Sequence, residues 1–386
     1  PHAYLSLDAG KTWTGLDGTG ASTRLSRDHR GHHRATATIL GTDIFTAYCS
    51  NKCAGGGGRT RNHFTKAIRD KTAWRIGPEV AIETGARHCT QRFSIARTES
   101  DWLWCAWMHT GRLGGEVRAK FSTSGKKWYD AGFNGRVGAG GTSGPYLAPF
   151  GDGVICVWRR GQQAIVWSQG RRIIAKVKAV REGGAVTLAA GAKQGVQLHS
   201  TFIHWDKWLG DNAYRVIDVR PDEAGAILWR GLDFGGDRFE LDDSTSGFTW
   251  TEPKVLSKKA RNASVATAKD GTFYVLLTYR RLPAEVRCFD GKTWTDDTPP
   301  ELTRSVPMPL LVACGDRMAC VWNANGKLML SVKPADGKWG TAKQIAEEKE
   351  PVVSLAAPQI APDTFIPVAW STRSRKFIKV AAVPVK

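Results

Sequence analysis

Apolar and polar residues alternate along this chain in short runs separated by clusters of Gly, Asp and Asn, the period-two pattern of half-buried β-strands. One unit recurs: an apolar run, a tight turn, and a second run that closes on an aromatic. The closing triplets are Thr46-Ala47-Tyr48, Cys105-Ala106-Trp107, Cys156-Val157-Trp158, Ser200-Thr201-Phe202, Leu277-Thr278-Tyr279, Cys320-Val321-Trp322 and Val368-Ala369-Trp370. Each unit reads as a β-hairpin. The aromatics stand 59, 51, 44, 77, 43 and 48 residues apart, and a strand-built repeat of roughly 50 residues marks a propeller blade.

The pattern predicts an all-β fold, a β-propeller of four-stranded antiparallel blades, seven by this count with six as the alternative. The blades are placed at His33 to Glu83, Arg87 to Val137, Gly144 to Arg181, Ala185 to Leu256, Arg261 to Leu302, Ser305 to Ala346, and Pro351 to the end. One propeller domain is expected to take up residues 1–386. A ring closes without a free edge when a strand from the other terminus completes the last blade, and the segment before Arg27 is the expected donor.

Composition agrees with many short strands and turns: 16 Trp and 42 Gly against 4 Met. No run approaches the roughly 18 apolar residues of a membrane helix, which predicts a soluble chain without a membrane span. Of the 8 Cys, Cys105, Cys156 and Cys320 occupy one equivalent position beside the aromatic of three hairpins and are expected as small buried hydrophobes. Cys49 and Cys53 could bridge or hold a metal, but a lone C-x3-C is weak support, and no cofactor is expected. The abrupt start inside a strand-like segment suggests a removed leader and a secreted or periplasmic protein.

Near the N-terminus, Ser6-Leu7-Asp8-Ala9-Gly10-Lys11-Thr12-Trp13 fits S-x-D-x-G-x-T-W in full. This segment resembles the Asp-box, or BNR repeat, of the sialidase superfamily of β-propellers. In that family the box is the turn between the third and fourth strands of a blade, on the face opposite the active site. Gly125-Lys126-Lys127-Trp128, Gly247-Phe248-Thr249-Trp250 and Gly291-Lys292-Thr293-Trp294 keep its Gly and Trp, and Asp336-Gly337-Lys338-Trp339 is one residue shorter. The resemblance implies a propeller and says little about chemistry.

The formal charge of +19 points to a polyanionic partner, with solubility alone as the competing explanation. In four-stranded blades the turns joining strands one and two lie on one face, here the lower. Those joining strands two and three, and the approaches to strand one, lie on the upper. Sorted this way, the lower turns are mixed or acidic (Glu99-Ser100-Asp101, Gly151-Asp152-Gly153, Lys269-Asp270-Gly271, Gly315-Asp316-Arg317, Pro362-Asp363). The upper segments carry Arg34, Arg61, Arg87, Arg92, Arg112, Arg159, Arg261 and Arg280 as candidate substrate-binding cations. Seven of the 9 His, among them His63, His88, His109 and His204, fall on upper segments as well. The fourth expected blade adds Trp205 and Tyr214 in a polar loop, as sugar-stacking candidates or as loop packing.

Sialidase-type hydrolysis implies an Arg triad, a Tyr–Glu pair and an acidic Asp. Arg34 stands at the expected place, but the loop from Cys53 to His63 has no carboxylate, and Arg261-Asn262 stands where the family's Glu belongs. A mouth rich in Arg and His and poor in carboxylates suits β-elimination of uronate chains, as in polysaccharide lyases, better than hydrolysis. The expectation is a propeller that binds and cleaves an acidic polysaccharide or other acidic glycan. Its base would be His63, His88 or His109, and its proton donor Tyr146. A sialidase-like glycosidase, a lectin without turnover and a scaffold that binds an acidic protein are the alternatives. Nucleic acid is set aside for want of any recognisable binding motif, and a monomer is expected.

Overall fold

The alternating runs become strands, and the described helical structure is confined to single turns such as Ala192–Gln194 and Pro300–Leu302. The computed structural model describes residues 2–3, 12, 14–15, 23–24, 32–40, 43–50, 61–70, 73–77, 80–83, 89–111, 114–132, 135–161, 164–181, 185–206, 210–228, 244–302, 309–335, 337–374 and 378–385. Among these no helix is long and apolar enough to cross a membrane.

Antiparallel meanders follow one another along the chain. Sheet A comprises His32–Leu40, Asp43–Ser50, Arg61–Asp70 and Ala73–Ile76. Sheet B comprises Cys89–Arg97, Leu103–Gly111, Gly114–Ser122 and Tyr129–Asp130. Sheet C begins with Gly141–Phe150, Gly153–Arg160 and the first part of Ala164–Val180, and Lys254–Ser257 completes it. Sheet D is Asn262–Thr267, Phe273–Thr278, Glu285–Phe289 and Trp294–Asp296. Sheet E is Leu310–Cys314, Arg317–Ala324, Lys327–Lys333 and Lys343–Glu347. Sheet F has three described strands, Val352–Ala356, Phe365–Thr372 and Lys379–Pro384. The first strands of A, B, C, D and E pack side by side in that order, and the fold is an all-β propeller.

Second strands lie between neighbouring strands and under both adjacent sheets, so both of their faces are apolar. In Gly153–Arg160 the first six residues are all buried. Cys105, Cys156 and Cys320 are fully buried, opposite Ile95, Leu147 and Leu311 of the first strands. Burial pushes all three thiols well above the ordinary cysteine range, which keeps them as unreactive hydrophobes. Cys53 lies outside the described residues, and so does the Ser6 to Trp13 segment apart from Thr12.

The stretch expected as a fourth blade is something else. Ala164–Val180 runs past the Gly151-Asp152 turn of sheet C: its part up to Gly170 pairs with the second strand, and the remainder enters a different sheet. That sheet continues through Val186–Leu188, Ala224–Leu228, Gly210–Val219, Thr201–Asp206 and Ser244–Trp250, which pairs back with Ala164–Val180. Six strands thus close on themselves as a barrel-like sheet. Its interior is packed with Ile173, Val177, Leu188, Phe202, Tyr214 and Val216 among others. The Ser200-Thr201-Phe202 triplet belongs to this barrel, and Gly247-Phe248-Thr249-Trp250 is mid-strand, paired with Gly170 to Ile173, where a turn was expected. With the barrel set aside, Trp158 and Tyr279 are about 40 residues apart, in line with the blade repeat.

Close backbone approach marks the crossing from sheet to barrel. A Cβ on Gly153 would meet the Gly170 carbonyl oxygen at 1.9 Å, and one on Gly170 would meet the Trp250 ring at 3.1 Å. Trp250 and Phe248 in turn pack on Trp104, whose ring stands edge-on to both at 5.7 and 4.5 Å, so the barrel is anchored in the core of sheets B and C. Gly153→Ala should therefore force the two strands apart and cost about 1–3 kcal/mol, read as a lowered urea midpoint at unchanged m-value. An unchanged midpoint would show that the strands separate freely.

Candidate functional site

The first strands of sheets A to D are edge strands, and with the first hairpin of F they surround a cavity of 1090 Å³ on the ring axis. Its wall draws Thr36 and Ala37 from sheet A, Phe93 to Arg97 from B, Gly144 to Tyr146 and Pro149 from C, Asn262 from D, and Ala357 to Pro362 from the first hairpin of F. Gln359 crosses to sheet C, where its side-chain amide donates to the Leu147 carbonyl at 2.9 Å. No Asp or Glu is among these lining residues. Of the sequence candidates, Tyr146 lines the cavity. Its ring packs within 3.3 Å of the point where a Cβ on Gly144 would stand.

Register fixes which end of each sheet a residue occupies. Arg97 opposite Leu103, Phe150 opposite Gly153 and Cys314 opposite Arg317 define one end. The acidic turns gather there: Ser100 Oγ donates to Asp152 across sheets B and C at 3.2 Å, and Asp363 of F packs against Gly315 of E. The opposite end is defined by Cys89 opposite His109, Ser143 opposite Arg159, and Asn262 opposite Thr278. His109, Arg159, Arg261 and Arg280 therefore stand at that upper end, Arg261 and Arg280 exposed. None of the four lines the cavity: His109 and Arg159 lie one strand further from the axis. His109 is opposite Glu116, whose carboxylate accepts from Arg118 at 2.6 Å and lies 3.4 Å from Arg136.

His63, Arg34, Arg61 and Arg92 occupy strands of sheets A and B whose side chains at those positions lie outside the description, and His88, Arg87 and Arg112 lie outside it altogether. Trp205 and Tyr214 are corrected. Both are on the Thr201–Asp206 and Gly210–Val219 hairpin of the barrel, which leaves sheet C at its lower end, away from the upper mouth. His204 travels with them. Tyr214 is 2% exposed in the barrel interior and has no face to offer a sugar. Asn262, which the sequence sets where the family's Glu belongs, lines the cavity, and sequence reading missed Gln359 and Arg97. Arg97 is ion-paired with Asp101, and the i,i+4 spacing of that pair was the available signal.

A second hollow of 810 Å³ opens at the upper end, further from the axis, between the last strand of sheet C and the outer part of sheet D. Tyr279, Glu285 and Arg287 form its polar side. Arg287 donates to Glu285 at 2.6 Å and to the Leu256 carbonyl at 3.0 Å, and Tyr279 Oη lies 3.4 Å from Ser257 Oγ. Burial, then its bond to Glu285, pushes the Tyr279 phenol up to about 12. A Tyr–Glu pair is thus present, but off the axis and with the phenol held protonated, the opposite of an activated nucleophile.

No protein-family model matches the chain, and no curated protein resembles it significantly in sequence. Solved structures similar to it include an α-L-arabinanase of Penicillium chrysogenum, 10% identical, covering 92% of this chain and 93% of its own with a TM-score of 0.46. AofleA from Arthrobotrys oligospora is 8% identical, with coverage of 92% and 86% and a TM-score of 0.47. An ulvan lyase is 13% identical, with coverage of 97% and 84% and a TM-score of 0.43.

The raised phenol gives a stability signature. An unfolded tyrosine loses its proton near pH 10, whereas folded Tyr279 holds it to about 12. Across that window the folded state binds more protons, so stability falls as pH rises. Urea melts from pH 9 to pH 12, in roughly half-unit steps, should show a steeper decline for the wild type than for Tyr279→Phe. Parallel curves would remove Tyr279 as the cause.

Proposed function

We propose that this propeller binds an acidic glycan at the upper end of its ring, over the axial cavity, and cleaves it by β-elimination. The observation that carries the reading is a cavity wall that, among the described residues, has Tyr146 but no carboxylate, beneath an end of the sheets that bears Arg159, Arg261 and Arg280. Hydrolysis with paired carboxylates needs groups that this wall lacks, whereas elimination needs a cation, a base and an acid. An arginine neutralises the uronate carboxylate and so acidifies the adjacent C–H. An imidazole, from His63, His88 or His109, takes that proton. The electron pair left on carbon forms the new C=C bond as the glycosidic C–O bond breaks, and the departing oxygen takes a proton from Tyr146.

The ring is read as six blades, sheets A to F, with the barrel inserted in the third strand of C and the N-terminal segment completing F. A polymeric substrate of this kind places the protein outside the cytoplasm, secreted or periplasmic, and one copy carries the whole site. One observation favours a second reading, a lectin that binds without turnover: Arg159, Arg261, Arg280 and His109 stand back from the cavity wall.

Incubation with polygalacturonate, alginate and hyaluronan separates the readings. Elimination yields the ultraviolet absorbance of an unsaturated uronate, and Tyr146→Phe should slow it about 10²–10⁴-fold while binding changes little. New reducing ends without that absorbance would mean hydrolysis, and binding without either signal would mean a lectin.

A further inference from the structure

The hollow between sheets C and D opens at the upper end, where Asn262 contributes to the axial cavity, and a single stretch of chain joins the two. Residues 257–262 run from the end of Lys254–Ser257 to the start of Asn262–Thr267. Ser257, Lys258 and Lys259 line the outer hollow, and Asn262 lines the axial cavity. The distance from Lys258 to Asn262 along the chain is on the order of 13 Å at full extension.

The two sides of the hollow differ in kind. Leu282, Pro283, Pro300 and Leu302 make an apolar wall, and Leu282 is 48% exposed at the tip of a turn that also carries Arg280 and Arg281. An apolar side chain held in the open among cations is not explained by packing, because the turn's buried residue is Ala284. Facing it, the Glu285–Arg287 fork is held in place by the Leu256 carbonyl before any ligand arrives, so little order is lost on binding. A pyranose presents an apolar C–H face and a hydroxyl edge, and this pairing of surfaces matches both.

The charge on the rim selects among sugars. Lys258 and Lys259 are exposed, and neither side chain has an ion-pair partner among the described residues. The two lining carboxylates are engaged: Glu285 accepts from Arg287, and Asp296 accepts from the Thr298 hydroxyl at 2.6 Å and its N–H at 3.0 Å. Arg287 offsets Glu285, and Asp296 offsets one of the two lysines, so the lining is left with one net positive charge.

We propose that this hollow is a second subsite for an anionic sugar unit of the glycan bound at the axis. The ring would lie on Leu282 and Pro300, the hydroxyl edge on Glu285 and Arg287, and the carboxylate or sulfate on Lys258 and Lys259. The proposal rests on the acidic-glycan reading above and extends it by giving the polymer a path from axis to rim.

The test is calorimetric binding of polygalacturonate, alginate and hyaluronan to the full chain. Lys258→Glu with Lys259→Glu should weaken binding at least tenfold. Arg160→Glu with Arg373→Glu, which changes net charge equally at the same end, should cost less than threefold, with all variants retaining the wild-type circular dichroism melt. Equal losses from both pairs would replace the subsite with diffuse attraction and overturn the proposal. Unchanged affinity in the lysine pair would overturn it while leaving axial binding in place. No binding of any polyuronate by the wild type would overturn this proposal and the functional reading together.

Discussion

The first strands of sheets A to D are edge strands facing a shared axis, and their inward N–H and C=O groups have no strand partner there; in sheet E the short strand Ile360–Ala361 pairs with Leu310–Cys314 and meets them instead. An orphaned buried backbone group costs about 1–3 kcal/mol, so the ring can form only where something else meets these groups. Side chains do so here, between consecutive sheets. Ser94 of sheet B accepts from the Leu147 N–H of C at 2.8 Å, and Ser264 of D accepts from the Leu311 N–H of E at 3.1 Å. Thr267 donates to the Pro149 carbonyl, and Gln359 to that of Leu147. Leu147 is thereby held from two sides by different sheets, and the spacing of the first strands follows from these struts as much as from apolar packing.

The same arrangement explains why the axial wall is nearly neutral. Groups pointing inward are used up in joining sheets, and small hydroxyl and amide side chains serve that purpose without a desolvated charge. Charge is displaced to the strand ends, where antiparallel register separates it into an acidic end with Asp101, Asp152 and Asp363 and a basic end with Arg159, Arg261 and Arg280.

The repeat was legible because a second strand is covered on both sides, and the triplets ending in Tyr48, Trp107, Trp158, Trp322 and Trp370 report that burial, while Tyr279 is only partly covered. The fourth triplet misled for the same reason. Phe202 is as buried as the others, but inside a barrel, and period-two alternation records burial without recording which sheet provides it. For His109, Arg159, Arg261 and Arg280 turn order gave the end on which the residue stands, because that depends on strand direction alone, whereas His204 went to the barrel. The cavity wall was legible only at Tyr146 and Asn262: Gln359 has no distinguishing neighbours in sequence, and it joins them only because the ring brings residues far apart in the chain together. Tyr214 looked like a loop aromatic because Asp211 and Asn212 precede it, yet alternate residues of one strand point to opposite faces.

The barrel leaves and rejoins sheet C through adjacent strands, with Gly170 paired to Trp250. Sheet C therefore cannot receive its last strand until some eighty residues have been spanned, an entropic burden that grows with loop length. A barrel already folded reduces that long detour to a single paired step, with both ends delivered together. Assembly of the ring thus waits on a module outside it, and any replacement module must hand the chain back at the same spot.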